Sequence, residues 1–313
     1  MTDRAITVVS SQPKNISHSH QRFAIVNGDD FGFSSGVNRA IITAHEQGVL
    51  TSTSLMVTGE AFDEAVVLAQ AHPKLAVGLH LVLGCGKAVL PPSQIPHLVD
   101  STGNFPDRVL RSGLRYQLNS KARRELSLEI RAQLEKFRDT GLPLSHVDGH
   151  LHLHMHPVVL RTLVQLAPEF NIKTIRLPSE ELRLTLGLDR SDLLTKLVWA
   201  VVFGGLRYYG ERLLKSHQIS FADRVYGLLQ TGRMTEAYLL NLIPQIQADL
   251  VEIYSHPAIA VAKEPSNAPL GLGQAELDAL ISDRVRQMLV AHGFELTNYD
   301  RVKNTVQGMD RLE

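Results

Sequence analysis

The chain has 313 residues, 44% of them hydrophobic, which can fill the core of one large domain or of two smaller ones. Its 32 basic and 32 acidic residues cancel and form no long uninterrupted block of one sign, which argues against nucleic acid as the main partner. Cys85 is the only cysteine, so an internal disulfide framework is excluded and a reducing cytoplasm is the expected compartment.

The two ends of the chain are expected to lie outside the folded domain, which we place at residues 22–305. Residues 1–21 are polar and lack the apolar segment and cleavage site of a secretory signal, so we expect a disordered leader. Residues 306–313 are expected to form a C-terminal tail. The most apolar run, 197–206, is far shorter than the ~20 residues of a membrane-spanning helix.

Strands and helices are predicted to alternate from the start of the domain. The apolar run 22–27 ends in Gly28-Asp29-Asp30 and is typical of a buried strand that carries two carboxylates at its carboxyl end. A helix capped by Ser34 or Ser35 follows. A second strand is expected over 49–57 and a second helix over 60–71.

The third predicted strand carries a single histidine. Residues 75–83 alternate between large aliphatic side chains and a face of small ones that includes His80. Such a histidine is more often a core residue than a metal ligand, so its role depends on its partners. The glycine- and proline-rich stretch 84–119 is predicted to be a loop that acts as a lid or binding segment, and a long helix begins at Ser120.

Six polar side chains recur at every second position from His146 to His156, which is the spacing of one face of a strand. Each neutral imidazole needs both a donor and an acceptor, so this density indicates metal binding or proton chemistry. The alternative is a surface histidine-rich tract that binds metal adventitiously. The residues at these positions are His146, Asp148, His150, His152, His154 and His156.

The second half of the chain is predicted to continue the alternation around a helical insertion. A short strand is expected over 173–177, the insertion over 180–240, and a further strand over 250–254 that ends at His256. A helix over 274–291 and a last strand over 294–299 follow. We find no internal repeat. The pattern predicts a single α/β domain, a (β/α) barrel of irregular or incomplete TIM type.

The chemically informative residues follow separate predicted strands, at the face where barrel active sites assemble. Two imidazoles and one carboxylate leave a coordination position open for water, which is typical of a catalytic metal. Consecutive aspartates point in different directions, so one can bind the metal while the other acts as a base. The residues are Asp29, Asp30, His80, the 146–156 segment and His256.

Four motifs resemble those of the YdjC-like carbohydrate deacetylases in order and spacing, over roughly residues 22–300: Asn27–Gly32, Gly48–Ser52, Gly78–His80 and His146–His154. Three more resemble the hopanoid-biosynthesis-associated branch of that family: Phe221–Gly227, Gly232–Glu236 and Glu252–Pro257. The resemblance implies a β/α barrel. It also implies removal of an N-acetyl group from an amino sugar, with an N-acetylglucosaminyl-hopanoid lipid as the substrate in the narrower branch.

The resemblance also implies roles for individual residues. Asp29 matches the family's catalytic base, Asp30, His80 and His150 match its metal ligands, and His256 is the candidate general acid. The ion would be one divalent metal, zinc or magnesium. Gly149 stands where the family commonly has an acidic or hydroxyl residue, so that contact is lost here.

Three further residues are expected around the site, in second-shell or substrate-binding positions: Asp148, His154 and Arg176. Arg176 would orient the catalytic aspartate or a sugar hydroxyl. Its alternative role is an ordinary surface charge at a strand end.

The segment 193–215 is a candidate for peripheral contact with the inner face of a membrane. It combines Trp199 and Phe203 with basic flanks. The alternatives are a buried helix of the barrel's outer layer and a homodimer contact. Two other functions stay open: a metal-dependent hydrolase of another bond such as a phosphoester, and a non-catalytic sugar- or lipid-binding protein with a vestigial metal site.

Overall fold

The computed structural model describes residues 21–262, 264–265, 267 and 269–301. Apart from Gln21, the predicted leader 1–21 lies outside the described residues, and so does the predicted tail 306–313. Among the described residues, no helix is both long enough and apolar enough to cross a bilayer.

The described strands form one parallel sheet in the order β4-β3-β2-β1-β6-β5, and β7 pairs with the first half of β1. β1 lies in the middle and also pairs in parallel with β2 and β6. The carboxyl end of β1 therefore lies between the carboxyl ends of these two strands. The strands are β1 (Arg22–Phe31), β2 (Ser52–Leu55), β3 (Ala76–Leu81), β4 (Val147–Gly149), β5 (Arg224–Tyr226), β6 (Leu250–Ser255) and β7 (Phe294–Thr297).

Helices surround this sheet and share one apolar core with it. The predicted first helix begins after Ser34, whose side chain accepts from the backbone N–H of Val37. The described helices are α1 (Ser35–Gln47), α2 (Phe62–Ala71), α3 (Val109–Leu118), α4 (Ser120–Arg138), α5 (Pro157–Phe170), α6 (Leu182–Leu188), α7 (Leu193–Ser216), α8 (Glu236–Leu242), α9 (Gly273–Leu280) and α10 (Asp283–Ala291).

The sheet curls into a barrel that is closed only by single-residue bridges. Ile175 bridges to Val147 of β4, Thr174 bridges to Ser220, and Ser179 bridges to Val225 of β5. The predicted strand 173–177 is therefore a bridging segment. The predicted α/β fold, an irregular or incomplete barrel, is confirmed.

Three predictions about long segments were wrong in part. The stretch 84–119 is not a loop throughout, because 109–118 forms α3; this helix was missed because its leucines face outward. The insertion 180–240 is not wholly helical, because Arg224–Tyr226 pairs with β6 as β5. The predicted helix 274–291 is also split, at Ser282, whose hydroxyl caps α10.

The histidine-rich segment is not a continuous strand. β4 ends at Gly149, and residues 150–155 form a 3-10 turn in which Leu151 and His152 have positive φ angles of 55° and 54°. Gly149 is required at this point, since a Cβ there would lie 2.9 Å from the carbonyl oxygen of Leu81. The side chains after Gly149 therefore leave the strand face and reach different surroundings.

Helix α7 is anchored by two buried basic side chains, Lys196 near its start and Arg207 in its second half. Lys196 donates to Asp189 and Gln230. Arg207 is buried and donates to the backbone carbonyls of Leu177 and Ala222. In the first half most apolar side chains are exposed, for example Val201 at 78%. For that half, the alternative of a helix buried in the outer layer is wrong.

Candidate metal centre and catalytic site

Three predicted ligands come together at the carboxyl end of the sheet. Asp30 ends the regular part of β1 with a φ of 67°, His80 lies on β3, and His150 begins the turn after β4. Oδ1 of Asp30 lies 3.2 Å from Nε2 of His80 and 3.2 Å from Nδ1 of His150. One carboxylate and two imidazoles thus converge on one point, and His150 is partly open to the cleft.

His80 is oriented from behind by Asp148. Its Nδ1 lies 2.8 Å from Oδ1 of Asp148, whose other oxygen accepts from the hydroxyl of Ser54 at 2.7 Å. A carboxylate on one ring nitrogen fixes the tautomer and leaves the other nitrogen for a metal. Asp148 therefore lies behind His80, on the side away from Asp30.

Asp29 and Asp30 are neighbours in the chain but face different partners. Asp29 accepts two hydrogen bonds of 2.8 Å from the guanidinium of Arg176 and one of 2.8 Å from the side-chain amide of Asn27. Arg176 is completely buried, so its interpretation as a surface charge was wrong. A bidentate arginine holds a carboxylate in one orientation.

Arg176 also binds two acidic groups besides Asp29. Its Nη1 lies 2.7 Å from Oδ2 of Asp148, and its Nε and Nη2 donate to Oε1 of Glu252 at 2.9 and 2.6 Å. Tyr299 donates to the other oxygen of Glu252. Burial raises the pKa of Glu252 to about 7, against the opposing effect of Arg176.

Sequence reasoning missed Glu252 and Tyr299. The indication available was a single acidic residue inside the apolar strand 250–254, because a buried carboxylate requires a partner.

The charges around Asp30 fit a cation. Burial would raise the pKa of Asp30, but His150 and His80 hold it well below its usual value. Burial would likewise lower the pKa of His80, but Asp148 and Asp30 raise it well above its usual value. The carboxylates thus draw a proton onto His80, and a divalent ion would supply positive charge in the same place.

A second set of potential ligand atoms, from Asp29, His80 and Asp148, lies close enough for a metal. Both oxygens of Asp29 already accept from Arg176, and both oxygens of Asp148 are occupied by His80, Ser54 and Arg176. The set Asp30, His80 and His150 is therefore the better ligand set.

His256 follows β6 and lines the cleft above the ligands. Its backbone N–H donates to Glu276 at 2.6 Å, which fixes its position. Its ring lies 5.9 Å from that of Tyr254. Within the described part of the chain, its Nδ1 is buried and has no hydrogen-bond partner.

The other histidines of the segment serve the surroundings of the site. His154 contacts the backbone carbonyl of Arg176 through Nε2 at 3.0 Å, and burial lowers its pKa to about 4. His152 lies 2.8 Å from the hydroxyl of Tyr254, and His156 accepts from the first turn of α5. His146 stacks on Tyr299 with ring centroids 4.3 Å apart.

A cleft of about 910 Å³ leads from the ligands to the surface. One wall comes from α3, the other from α7, and both are largely apolar. Asn267, which sequence reasoning also missed, enters from the loop after β6 and donates to Oδ2 of Asp30 at 3.0 Å. The wall residues are Val109, Leu110, Gly113, Leu114 and Gln117 of α3, and Val198, Trp199, Val202, Phe203 and Leu206 of α7.

Comparison with known proteins gives full-length matches to enzymes. The sequence model of the YdjC-like protein family matches residues 23–291. A carbohydrate deacetylase of Vibrio campbellii is 33% identical over 284 residues, which cover 90% of this chain and 96% of the relative. A carbohydrate deacetylase of Thermoanaerobacter pseudethanolicus is 26% identical over 284 residues, which cover 90% of this chain and 100% of the relative.

A carbohydrate deacetylase of Brevibacillus brevis is 47% identical over 148 residues, which cover 47% of this chain and 56% of the relative. Among solved structures, a candidate cellobiose-phosphate cleavage protein of Enterococcus faecalis superposes with a TM-score of 0.69 at 25% identity. That match covers 90% of this chain and 99% of the other.

The fold and these matches define a hydrolase of the carbohydrate deacetylase class. Within that class the chain belongs to the YdjC-like family. The resemblance identified from the four motifs is therefore confirmed at the level of the family.

Proposed function

We propose that this enzyme removes the N-acetyl group of an acetylated amino sugar, with one divalent ion, zinc or magnesium, held by Asp30, His80 and His150. The observation that carries this proposal is a pair of neighbouring carboxylates with different partners: Asp30 lies against the two imidazoles, whereas Asp29 is held by Arg176. Such an arrangement supplies both an ion site and a separate base. A protein that only bound sugar would have no use for the base.

Asp29 is assigned as the general base. A divalent ion held by Asp30, His80 and His150 would lower the pKa of water and offset negative charge on the acetamide oxygen. Asp29 accepts the proton of the attacking water, since a carboxylate has about four lone pairs and only three are used by Arg176 and Asn27. Arg176 holds the carboxylate of Asp29 in one orientation, and Asp148 orients the ring of His80.

His256 is assigned as the general acid. An amine leaves an amide readily only when it is protonated, so the reaction needs a proton donor on the side of the leaving group. His256 lines the cleft, its backbone is fixed by Glu276, and its Nδ1 has no other partner in the described structure.

The substrate is proposed to be a sugar linked to a lipid, of the N-acetylglucosaminyl-hopanoid kind. A bulky hydrocarbon aglycone needs an apolar wall, and α3 and α7 supply one on each side of the cleft. The described lining contains no lysine or arginine, which disfavours the alternative of a phosphoester substrate. Contact of 193–215 with the inner face of the membrane would bring the site to such a substrate.

The lipid part of the proposal is tested with Val202→Ser, compared with its neighbour Val201→Ser. Val202 lines the cleft, whereas Val201 is exposed and does not. For octyl N-acetylglucosaminide below its micelle-forming concentration, we expect KM for acetate release to rise about fivefold in Val202→Ser only, because apolar contact with the chain is lost.

Free chitobiose, which has no alkyl chain, is the matched substrate, and its KM should stay unchanged in both variants. Equal effects on the two substrates, or on the two variants, would show that α7 does not contact the aglycone.

A further inference from the structure

Helix α3 presents a row of exposed leucines. Leu110, Leu114 and Leu118 are spaced by four residues and therefore share one face, and they are 87%, 63% and 78% exposed. The opposite face is anchored, because Tyr116 is buried and donates to the carbonyl of Leu83 at 2.7 Å. The leucines are thus largely exposed, while the helix itself is firmly attached.

The same region is strongly basic. Between Asp107 and Glu125 the chain has six basic residues and no acidic one, although the whole chain carries 32 of each sign. Five of the six are exposed, and the sixth, Arg115, donates to the carbonyl of His97. The six residues are Arg108, Arg111, Arg115, Lys121, Arg123 and Arg124.

The exposed leucines lie beside the mouth of the cleft. Leu110 and Leu114 line it from α3, and Val198 and Val202 line it from α7 while remaining largely exposed themselves. The entrance to the site is therefore bordered by apolar side chains on two helices, and one of these helices belongs to a basic segment.

We propose that α3, together with the first half of α7, docks the mouth of the cleft onto an anionic lipid bilayer. Exposed leucines beside arginines are typical of helices that lie in a membrane interface, with the leucines among the acyl chains and the cations at the headgroups. This inference rests on the proposed function, because a lipid-linked substrate would then enter the cleft from the bilayer.

The positive charge of this surface favours a bilayer over a second copy of the chain as its partner. In a two-fold symmetric dimer the same patch meets itself, so the basic segments of the two copies would be brought together and would repel each other. An anionic bilayer attracts the same segment. The bilayer is therefore the occupant that both the charge and the apolar row favour.

The test compares a triple variant, Arg108→Gln/Arg111→Gln/Leu118→Ser, with the wild type in vesicle co-sedimentation. None of these three residues lines the cleft, and all are exposed. On phosphatidylcholine vesicles containing phosphatidylglycerol, we expect the wild type to bind and added salt to weaken binding. The variant should bind about thirtyfold more weakly, mainly from the loss of two cations.

The matched control is Arg39→Gln/Lys74→Gln/Val67→Ser, which removes the same charge and one exposed apolar residue from the helices and loop around α2. It should bind like the wild type. Failure of the wild type to bind anionic vesicles, or equal binding by the two triple variants, would overturn the proposal.

A dimer that the first variant dissociates, without vesicle binding by the wild type, would assign the surface to self-association instead. The vesicle assay does not measure catalysis. Failure to bind vesicles would therefore not contradict the proposed deacetylase activity, and absence of that activity would not contradict vesicle binding.

Discussion

Replacing Asp29 with asparagine is expected to lower kcat for deacetylation by about 10³-fold, within the range typical of a lost general base. An amide cannot take the proton of the attacking water, although it can keep one hydrogen bond from Arg176. Because Asp29 is not among the proposed ligands, the affinity for the metal should change little. The measurement is steady-state acetate release together with metal content after gel filtration.

Asp30→Asn is the matched control for Asp29→Asn. Asp30 lies 3.2 Å from both imidazoles, so its replacement should lower metal content as well as activity. If Asp29→Asn lost the metal to the same extent as Asp30→Asn, the ligand set would be the alternative one of Asp29, His80 and Asp148. If Asp29→Asn kept more than about a tenth of the wild-type kcat, Asp29 would not be the general base.

Arg176→Met should be the most destabilising single change in the site, lowering the free energy of unfolding by about 3–5 kcal/mol. Arg176 is fully buried and binds Asp29, Asp148 and Glu252. Without it, three buried carboxylates lose their cationic partner. Urea denaturation measures the change, and Arg176→Lys should rescue little of it because an ammonium cannot form the bidentate contacts.

Arg131→Met is the control for the arginine prediction. Arg131 also binds a carboxylate with two nitrogens, that of Glu169, but both side chains are substantially exposed. Its replacement should cost no more than about 1 kcal/mol. Equal effects of Arg131→Met and Arg176→Met would contradict the view that Arg176 neutralises a buried acidic cluster.

The effect of Arg176→Met should also depend on pH. Burial raises the pKa of Glu252 to about 7, above its unfolded value. Between about pH 4.5 and 7 the folded state therefore binds more protons than the unfolded state. As the pH rises through this range, Glu252 lowers the free energy of unfolding. Loss of Arg176 removes the group that opposes this shift, so destabilisation by Arg176→Met should be greater at pH 8 than at pH 5.

Local sequence patterns were sufficient to predict the alternating elements and the residues at the strand ends. Asp30 is 50 residues from His80 and 120 residues from His150 in the chain. The parallel sheet brings them together because each lies near the carboxyl end of a strand or just after it. This rule requires no knowledge of side-chain contacts. It explains why the sequence predicts these residues at one face of the barrel, whereas the choice of Asp30, His80 and His150 as the ligands came from the resemblance to the YdjC-like family.

Contacts that depend on the folded interior were not predictable in the same way. Arg176 and Glu252 are 76 residues apart and meet only because the barrel closes through the segment 174–179. The two positive φ angles at Leu151 and His152 interrupted a regular alternation that continues in the sequence. Helix α3 was missed because its leucines face away from the core, against the expectation that apolar residues are buried.

The most direct test of the proposed deacetylase is acetate release from an acetylated amino sugar before and after removal of the metal by a chelator. We predict that activity falls at least about 100-fold without metal and returns when about one equivalent of zinc or magnesium per chain is added back, whereas His80→Ala neither binds the ion nor regains activity. Undiminished acetate release from metal-free enzyme, or no release from any acetylated amino sugar by metal-loaded enzyme, would contradict the proposal.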